Sequence, residues 1–230
     1  MKIGKREEKR VVEALRYTDF KDSSFDRFRE NKTITKEALK NYQRNDFDEH
    51  YPMLPESLKE DMEFMKDIAE NVNHRVLRYN DRLREDTSYV EQLFAKNPYI
   101  YENDIPCLTS SREHTLKAAK FNSTYFNLAD NHLKDDKEFC RKIVDQGDFA
   151  YEFLYMSKRL KDDTDFVLEV CKKAADRADV VINYASPRLQ EECKYKDAIK
   201  TLETLLLAEE LQLNLTTKKD QRSPQKKMKI

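Results

Sequence analysis

Two glycines in 230 residues, Gly4 and Gly147, exclude the nucleotide-binding loops at once. A Rossmann fingerprint, a Walker A loop and a Gly-x-Ser-x-Gly nucleophile elbow all need closely spaced glycines, where backbone approaches phosphate or turns through positive φ. Hairpin-rich β folds lean on glycine in their turns as well, which favours an all-α chain. Tryptophan is absent, and neither sign of charge dominates: 43 Lys+Arg stand against 44 Asp+Glu, a net charge of −1. No global field therefore draws the chain to nucleic acid or an anionic membrane. The first ten residues are charged and contain no apolar core of a signal peptide, and no apolar run has the length of a membrane span. A cytoplasmic protein without a membrane partner is the expectation. The four cysteines, Cys107, Cys140, Cys171 and Cys193, form no Cys-x-x-Cys pair, and the four histidines are scattered. Reduced core thiols are expected, and neither a metal nor another cofactor.

What is present is charge, at 38% of residues, together with 24 Phe and Tyr. That combination is too aromatic for general disorder and too polar for a thick core, and it suits a thin or elongated fold.

An internal repeat runs through the middle of the chain. Leu58-Lys-Glu-Asp-Met-Glu-Phe64, Leu83-Arg-Glu-Asp-Thr-Ser-Tyr89, Leu133-Lys-Asp-Asp-Lys-Glu-Phe139 and Leu160-Lys-Asp-Asp-Thr-Asp-Phe166 are copies, with weaker ones opening at Leu108 and Leu189. The leading leucines are spaced by 25, 25, 25, 27 and 29 residues. The fourth column (Asp61, Asp86, Ser111, Asp136, Asp163, Glu192) offers oxygens suited to the free N–H groups of a helix start, and acids follow in the first turn. An apolar stripe comes next: Phe64, Ile68 and Ala69 in one copy, Tyr89, Leu93 and Phe94, Phe139, Ile143 and Val144, and Phe166, Val170 and Cys171 in others. These offsets put each triplet on one helical face. Seven residues before each leucine lies another apolar residue: Tyr51, Val76, Tyr101, Phe126, Phe153 and Ile182. A second helix of about two turns is expected there. Neither helix buries its stripe alone, so the pattern predicts an α-solenoid-like array of short helical pairs of about 25–29 residues.

The boundaries follow from that pattern. Residues 1–31, with Val11, Val12, Leu15, Phe20, Phe25 and Phe28, are expected to form capping helices; 32–195 the repeat array, whose first capped start is read at Thr35; 196–216 a closing helix; and 217–230 a disordered basic tail.

The units Phe153–Val170 and Phe126–Val144 resemble the repeat of the domain-of-unknown-function family numbered 4116: an aromatic-rich short helix, a Leu-[Lys/Arg]-[Asp/Glu]-Asp turn, then a helix opening with an acid and an aromatic or valine. The resemblance covers about residues 50–195 and lacks the Gly and Trp often seen between that family's helices, except Gly147. It implies helical repeats in bacterial, viral or protist proteins, and no activity.

Several chemistries have candidate residues. The paired acids Glu60-Asp61, Glu85-Asp86, Asp135-Asp136, Asp162-Asp163 and Glu191-Glu192 would, in a stack, line one edge as an acidic ridge for a basic partner or divalent ions; helix capping explains the same column. The copy at 97–114 departs from the pattern, with Tyr99, Tyr101, Arg112 and His114 as candidate partner-binding residues, since Tyr and Arg favour binding hot spots. Drift of that copy is the plainer reading. Cys107 and His114 are the one thiol and imidazole in the same region, although Cys107 sits in a turn column. Inter-repeat carboxylates leave a hydrolase open without selecting a site. The basic tail and Arg75, Arg78, Arg82 and Arg84 are the material for nucleic-acid contact, opposed by acids at almost every turn. Together these point to a non-enzymatic protein-binding module, and the resemblance implies, as the concrete expectation, a small bacterial or phage protein that sequesters or inhibits another protein. An enzyme with a site between repeats and a nucleic-acid-associated protein stand as alternatives.

Overall fold

A computed structural model describes residues 4–14, 23–40, 46–146, 150–194 and 196–222, and among them holds helices and turns with no strand. The fold is all-α. The chain divides into two compact units, 1–108 and 109–230.

In the first unit, α1 (Lys5–Ala14) buries no residue, and Val11 and Val12 are half-buried. Phe28 is buried, whereas Leu15, Phe20 and the side chain of Phe25 lie outside what is described. There follow α2 (Lys32–Lys40), α3 (Asp46–His50), α4 (Glu56–Lys59), α5 (Met62–Asn71), α6 (Val76–Tyr79), α7 (Asp81–Glu85) and α8 (Thr87–Lys96). A 3-10 turn, Pro98–Asn103, precedes α9 (Pro106–Thr109), within which the unit boundary falls. The second unit contains α10 (Arg112–Phe121), a 3-10 turn Ser123–Leu128, α11 (Asn131–Lys134), α12 (Lys137–Val144), a 3-10 turn Glu152–Tyr155, α13 (Lys158–Asp162) and α14 (Thr164–Ala174). It ends with α15 (Ala178–Tyr184), α16 (Pro187–Cys193) and α17 (Ala198–Arg222).

Five residues of the fourth column are helix N-caps. Asp61, Asp86, Ser111, Asp136 and Asp163 accept from the N–H of the residue three places on, at 2.9–3.4 Å. Each satisfies one of the orphan donors of a helix start. Two expected starts move. The cap of α2 is Asn31, which accepts from Ile34 N–H at 3.1 Å, and Thr35 is buried inside the helix with its hydroxyl donated to Arg29 O. Glu192 lies within α16, and Asp197 takes the capping position before α17, accepting from Lys200 N–H at 3.2 Å.

The expected second helix of each copy is two pieces, a 3-10 turn or short helix and then a short α-helix bearing the column leucine. Extended residues separate them: Leu54, Ala129, Met156 and Ala185 have ψ of 140–177°. The next residue restarts the helix. Ser157 and Ser186 do so with hydroxyls that accept from Leu160 and Leu189 N–H, and Asn80 does the same for Leu83. Pro55, fixed at φ −56°, starts α4.

The apolar columns form the interior. All six leucines and all six residues seven places before them are buried, as are the four triplets behind the caps. Asn97 and Asn122 close α8 and α10 and then accept from Tyr99 and Thr124 N–H, so asparagine turns do what glycine does in other chains. Asp104 takes the left-handed region at φ 54°, ψ 52°, which Asp tolerates.

Candidate functional site

The paired acids come first, because their partners are found within the chain. In four of the five pairs the second acid caps its own helix and also receives a cation from the preceding copy. Lys66 Nζ donates to Asp86 at 3.2 Å and Lys137 Nζ to Asp163 at 2.8 Å; Lys32 and Arg112 pair in the same way with Asp61 and Asp136. Each of these cations also lies over the aromatic ring three residues past the cap. The distances are 5.9 Å for Lys32 on Phe64, 4.7 Å for Lys66 on Tyr89, 5.5 Å for Arg112 on Phe139 and 5.9 Å for Lys137 on Phe166. A carboxylate, itself held by a helix N–H, and the ring three residues on thus form one cradle for a cation, made four times.

In two pairs the first acid, Asp135 or Asp162, holds the next copy's short helix. Arg159 Nε donates to Asp135 at 3.0 Å and Arg188 Nε to Asp162 at 3.0 Å, and the Ser157 and Ser186 hydroxyls bond the same two carboxylates. Backbone staples run beside them: Asp130 N–H to Thr109 O, Ser157 N–H to Lys134 O and Ser186 N–H to Lys161 O, at 2.9–3.0 Å. Lys59, Lys134 and Lys161, next to the column leucine, each donate to a carbonyl seven residues earlier.

These contacts set the carboxyl pKa values below the ordinary Asp range. Lys32 and then the Phe64 N–H lower Asp61; the Tyr89 N–H and then Lys66 lower Asp86; the Phe139 N–H, with Arg112, lowers Asp136. Ser157 and Arg159 lower Asp135, and Ser186 and Arg188 lower Asp162. At Asp163 burial works upward, and hydrogen bonds from Lys137 and Phe166 outweigh it. The carboxylates are thus ionised junction pieces. Among the described residues, no group of three His, Cys, Asp or Glu is placed to hold a metal ion, and no helix is long and apolar enough to cross a membrane.

The copy at 97–114 carries a different departure from the one its sequence suggested. Tyr101 is fully buried, as its place seven residues before Leu108 requires, and Tyr99 is 46% exposed. Arg112 belongs to the cradle on Asp136 and Phe139. His114 is partly buried in the first turn of α10, where its N–H is held by Ser111. The unusual residues are Glu102 and Asn103. Asn103, 4% exposed, accepts from Arg78 Nε at 3.0 Å, which turns its amide nitrogen toward His74 Nδ1 at 3.1 Å. The other ring nitrogen, Nε2, lies 3.8 Å from Glu102 Oε1. Arg75 lies between Asp48 (2.7 Å) and Glu102 (3.7 Å). Opposite charges alternate through this cluster, so it locks α3, the turn before α6 and the 3-10 turn Pro98–Asn103 together. It offers no nucleophile paired with a base.

The thiols are likewise structural. Burial pushes Cys140 and Cys171 up to about 12 and raises Cys107 and Cys193. All four are free, and three are buried.

The surface of the second unit holds the feature with a binding character. Ser123 Oγ donates to Glu152 Oε1 at 2.6 Å and fastens two 3-10 turns side by side. On and beside them Phe121, Tyr151, Leu154 and Tyr155 are 36–55% exposed, and Phe121 stacks on Tyr125 with ring centroids 6.5 Å apart. Glu152 itself is 5% exposed beneath them. Sequence patterning finds these residues only indirectly: they are three aromatic positions and one leucine that fall outside the buried columns. Compared with protein-family models, curated proteins and solved structures, the chain matches none.

Proposed function

We propose that the chain is a non-enzymatic protein-binding module, built as a solenoid-like array of helical-pair repeats of the kind its likeness to the family numbered 4116 implies. On this reading it is a small bacterial or phage protein that sequesters or inhibits another protein. The cation cradles that recur within each unit, and the backbone staples of the second, support the array. Each copy there is fastened to the next by the same residues, which is how quasi-one-dimensional folds hold together. The observation that carries the binding role is the exposed apolar group Phe121, Tyr151, Leu154 and Tyr155 on and beside the fastened 3-10 turns. Tyr and Phe on rigid backbone bury large area at small entropic cost, which is the composition of binding hot spots. The aspartates of the junctions are already engaged, so the partner is one that meets aromatic surface rather than an acidic ridge.

The test is affinity capture from native lysate with the wild-type chain and with Tyr151→Ser/Tyr155→Ser. One protein recovered in stoichiometric amount by the first and lost from the second supports the module. Equal recovery by both, or turnover of a substrate with no captured protein, overturns it.

A further inference from the structure

The C-terminal helix is longer than the core it closes. Leu202 of α17 is fully buried and Leu205 and Leu206 are half-buried, and the first turns of the helix pack against α14, α15 and α16. From Leu207 to Thr216 every residue is exposed, and the helix runs on to Arg222, six residues into the stretch expected as tail. Residues 223–230 lie outside the described residues. Glu209 still accepts from Thr164 Oγ1 and Arg188 Nη1 at 2.9 Å, so from Leu207 only the outer side is open, and the helix projects whole over 210–222, about 20 Å at ~1.5 Å per residue. Leu207, Leu211 and Leu215 on its outer side are 61–64% exposed. An isolated helix of roughly this length is marginal in water, and leucines on its open side add nothing to it without a partner.

The order of residues along that side says what the partner is. Positions 203, 207, 211, 215 and 219 follow each other at four-residue steps, which makes them one ridge of the helix, and they read Glu203, Leu207, Leu211, Leu215, Lys219. The charge of the ridge changes sign about Leu211. Laid antiparallel on itself, it sets Leu211 on Leu211, Leu207 on Leu215, and Glu203 opposite Lys219 at both ends. A parallel pairing would instead set like charge on like. Glu203 carries a surface pair with Lys172 Nζ at 2.8 Å, which water screens and a second cation can share. A two-fold axis makes any such patch meet itself, and this sequence suits that axis. We infer that the projecting half of α17 is a homodimerisation helix, its occupant a second copy of this chain, paired antiparallel through Leu207, Leu211 and Leu215.

The inference stands apart from the aromatic surface and from any function given to it. It is tested on the full chain by sedimentation equilibrium over a wide concentration range. A monomer–dimer equilibrium is expected, with Leu211→Glu weakening the dimer about tenfold or more. Because Leu211 is exposed, circular dichroism of the variant should keep the helical signal of the remainder. Glu203→Lys and Lys219→Glu each weaken the dimer, and the double reversal restores it. Register is read by disulfide trapping in a Cys107→Ser background: a mixture of Leu207→Cys and Leu215→Cys chains cross-links, and Leu207→Cys alone does not. A monomer at every concentration, a dimer indifferent to Leu211→Glu, cross-linking of Leu207→Cys with itself, or a monomer that instead sediments with anionic vesicles each overturns the inference.

Discussion

Asp163 shows how much one residue carries. Its Oδ1 caps α14 through the Phe166 N–H at 3.0 Å, and its Oδ2 receives Lys137 at 2.8 Å, so the same carboxylate starts one helix and fixes the previous one. Replacing an N-cap Asp by Ala costs about 1 kcal/mol, up to roughly 2 in well-ordered proteins, and here Lys137 loses its carboxylate as well. Asp163→Ala is therefore expected to lower the stability from urea unfolding by about 1–2 kcal/mol. Asp163→Asn keeps a capping oxygen and loses only the charge, and should cost less than half as much. Equal losses for the two would mean that the ion pair, and not the cap, holds the junction. The capping role was legible from the sequence, because Asp and Ser before an apolar stripe have few other reasons to recur. The cations were not. Arg112 and Lys137 sit in the first turn of their own helices, where the macrodipole disfavours them, and only the next copy's carboxylate explains their place. Tyr101 and Tyr99 make the same point: two residues of one type, two places apart, are divided between core and surface by their register to Leu108.

At the scale of elements, the junctions decide what the pattern could and could not disclose. Apolar periodicity located the long helices and their buried faces, but it read through the breaks at Leu54, Ala129, Met156 and Ala185, because an extended apolar residue looks the same as a helical one in a hydropathy pattern. The turn after the long helix has its own chemistry, with Asn97 and Asn122 in two copies. After α14 the corresponding residue is Ala175, held at φ 50°, ψ −108°. An L-residue in that region carries strain of about 1–3 kcal/mol, which glycine does not, set against roughly 0.4–1 kcal/mol of extra freedom in the unfolded chain. Ala175→Gly is thus expected to raise stability by about 1 kcal/mol, seen as a higher urea midpoint at unchanged slope. A lower midpoint would show that the surroundings gain more from the methyl group than the backbone loses. Here scarcity of glycine has a measurable consequence, since one turn that wants it does without.

For the molecule as a whole, ionised carboxylates at successive junctions make the fold acid-sensitive by construction. Asp61, Asp67, Asp86, Asp135, Asp136, Asp162 and Asp163 all have folded pKa values below the ordinary one, chiefly through hydrogen bonds from lysine, arginine, serine and helix N–H groups. A carboxyl whose pKa is depressed by folding contributes stability that is present above its unfolded value, about 3.9, and is lost as pH falls toward the folded value, because the unfolded chain then binds the proton more tightly. The opposite edge is set by groups raised on folding. The buried thiols of Cys140 and Cys171, pushed up to about 12, contribute stability that is complete below the unfolded thiol value of about 8.5 and falls as pH rises beyond it. Paired bases such as Lys137 and Lys173, also raised, add to that loss only at still higher pH. The urea midpoint is therefore expected to be flat from about pH 5 to about pH 8, to fall steeply below about pH 4 and to decline more gently on the alkaline side. Several junctions titrate over the same range, so the acid limb should be steeper than one carboxyl can produce, and in Asp163→Asn it should be shallower. A midpoint unchanged between about pH 5 and pH 3 would mean that the junction carboxylates keep their partners in the unfolded chain or do not have them in the folded one.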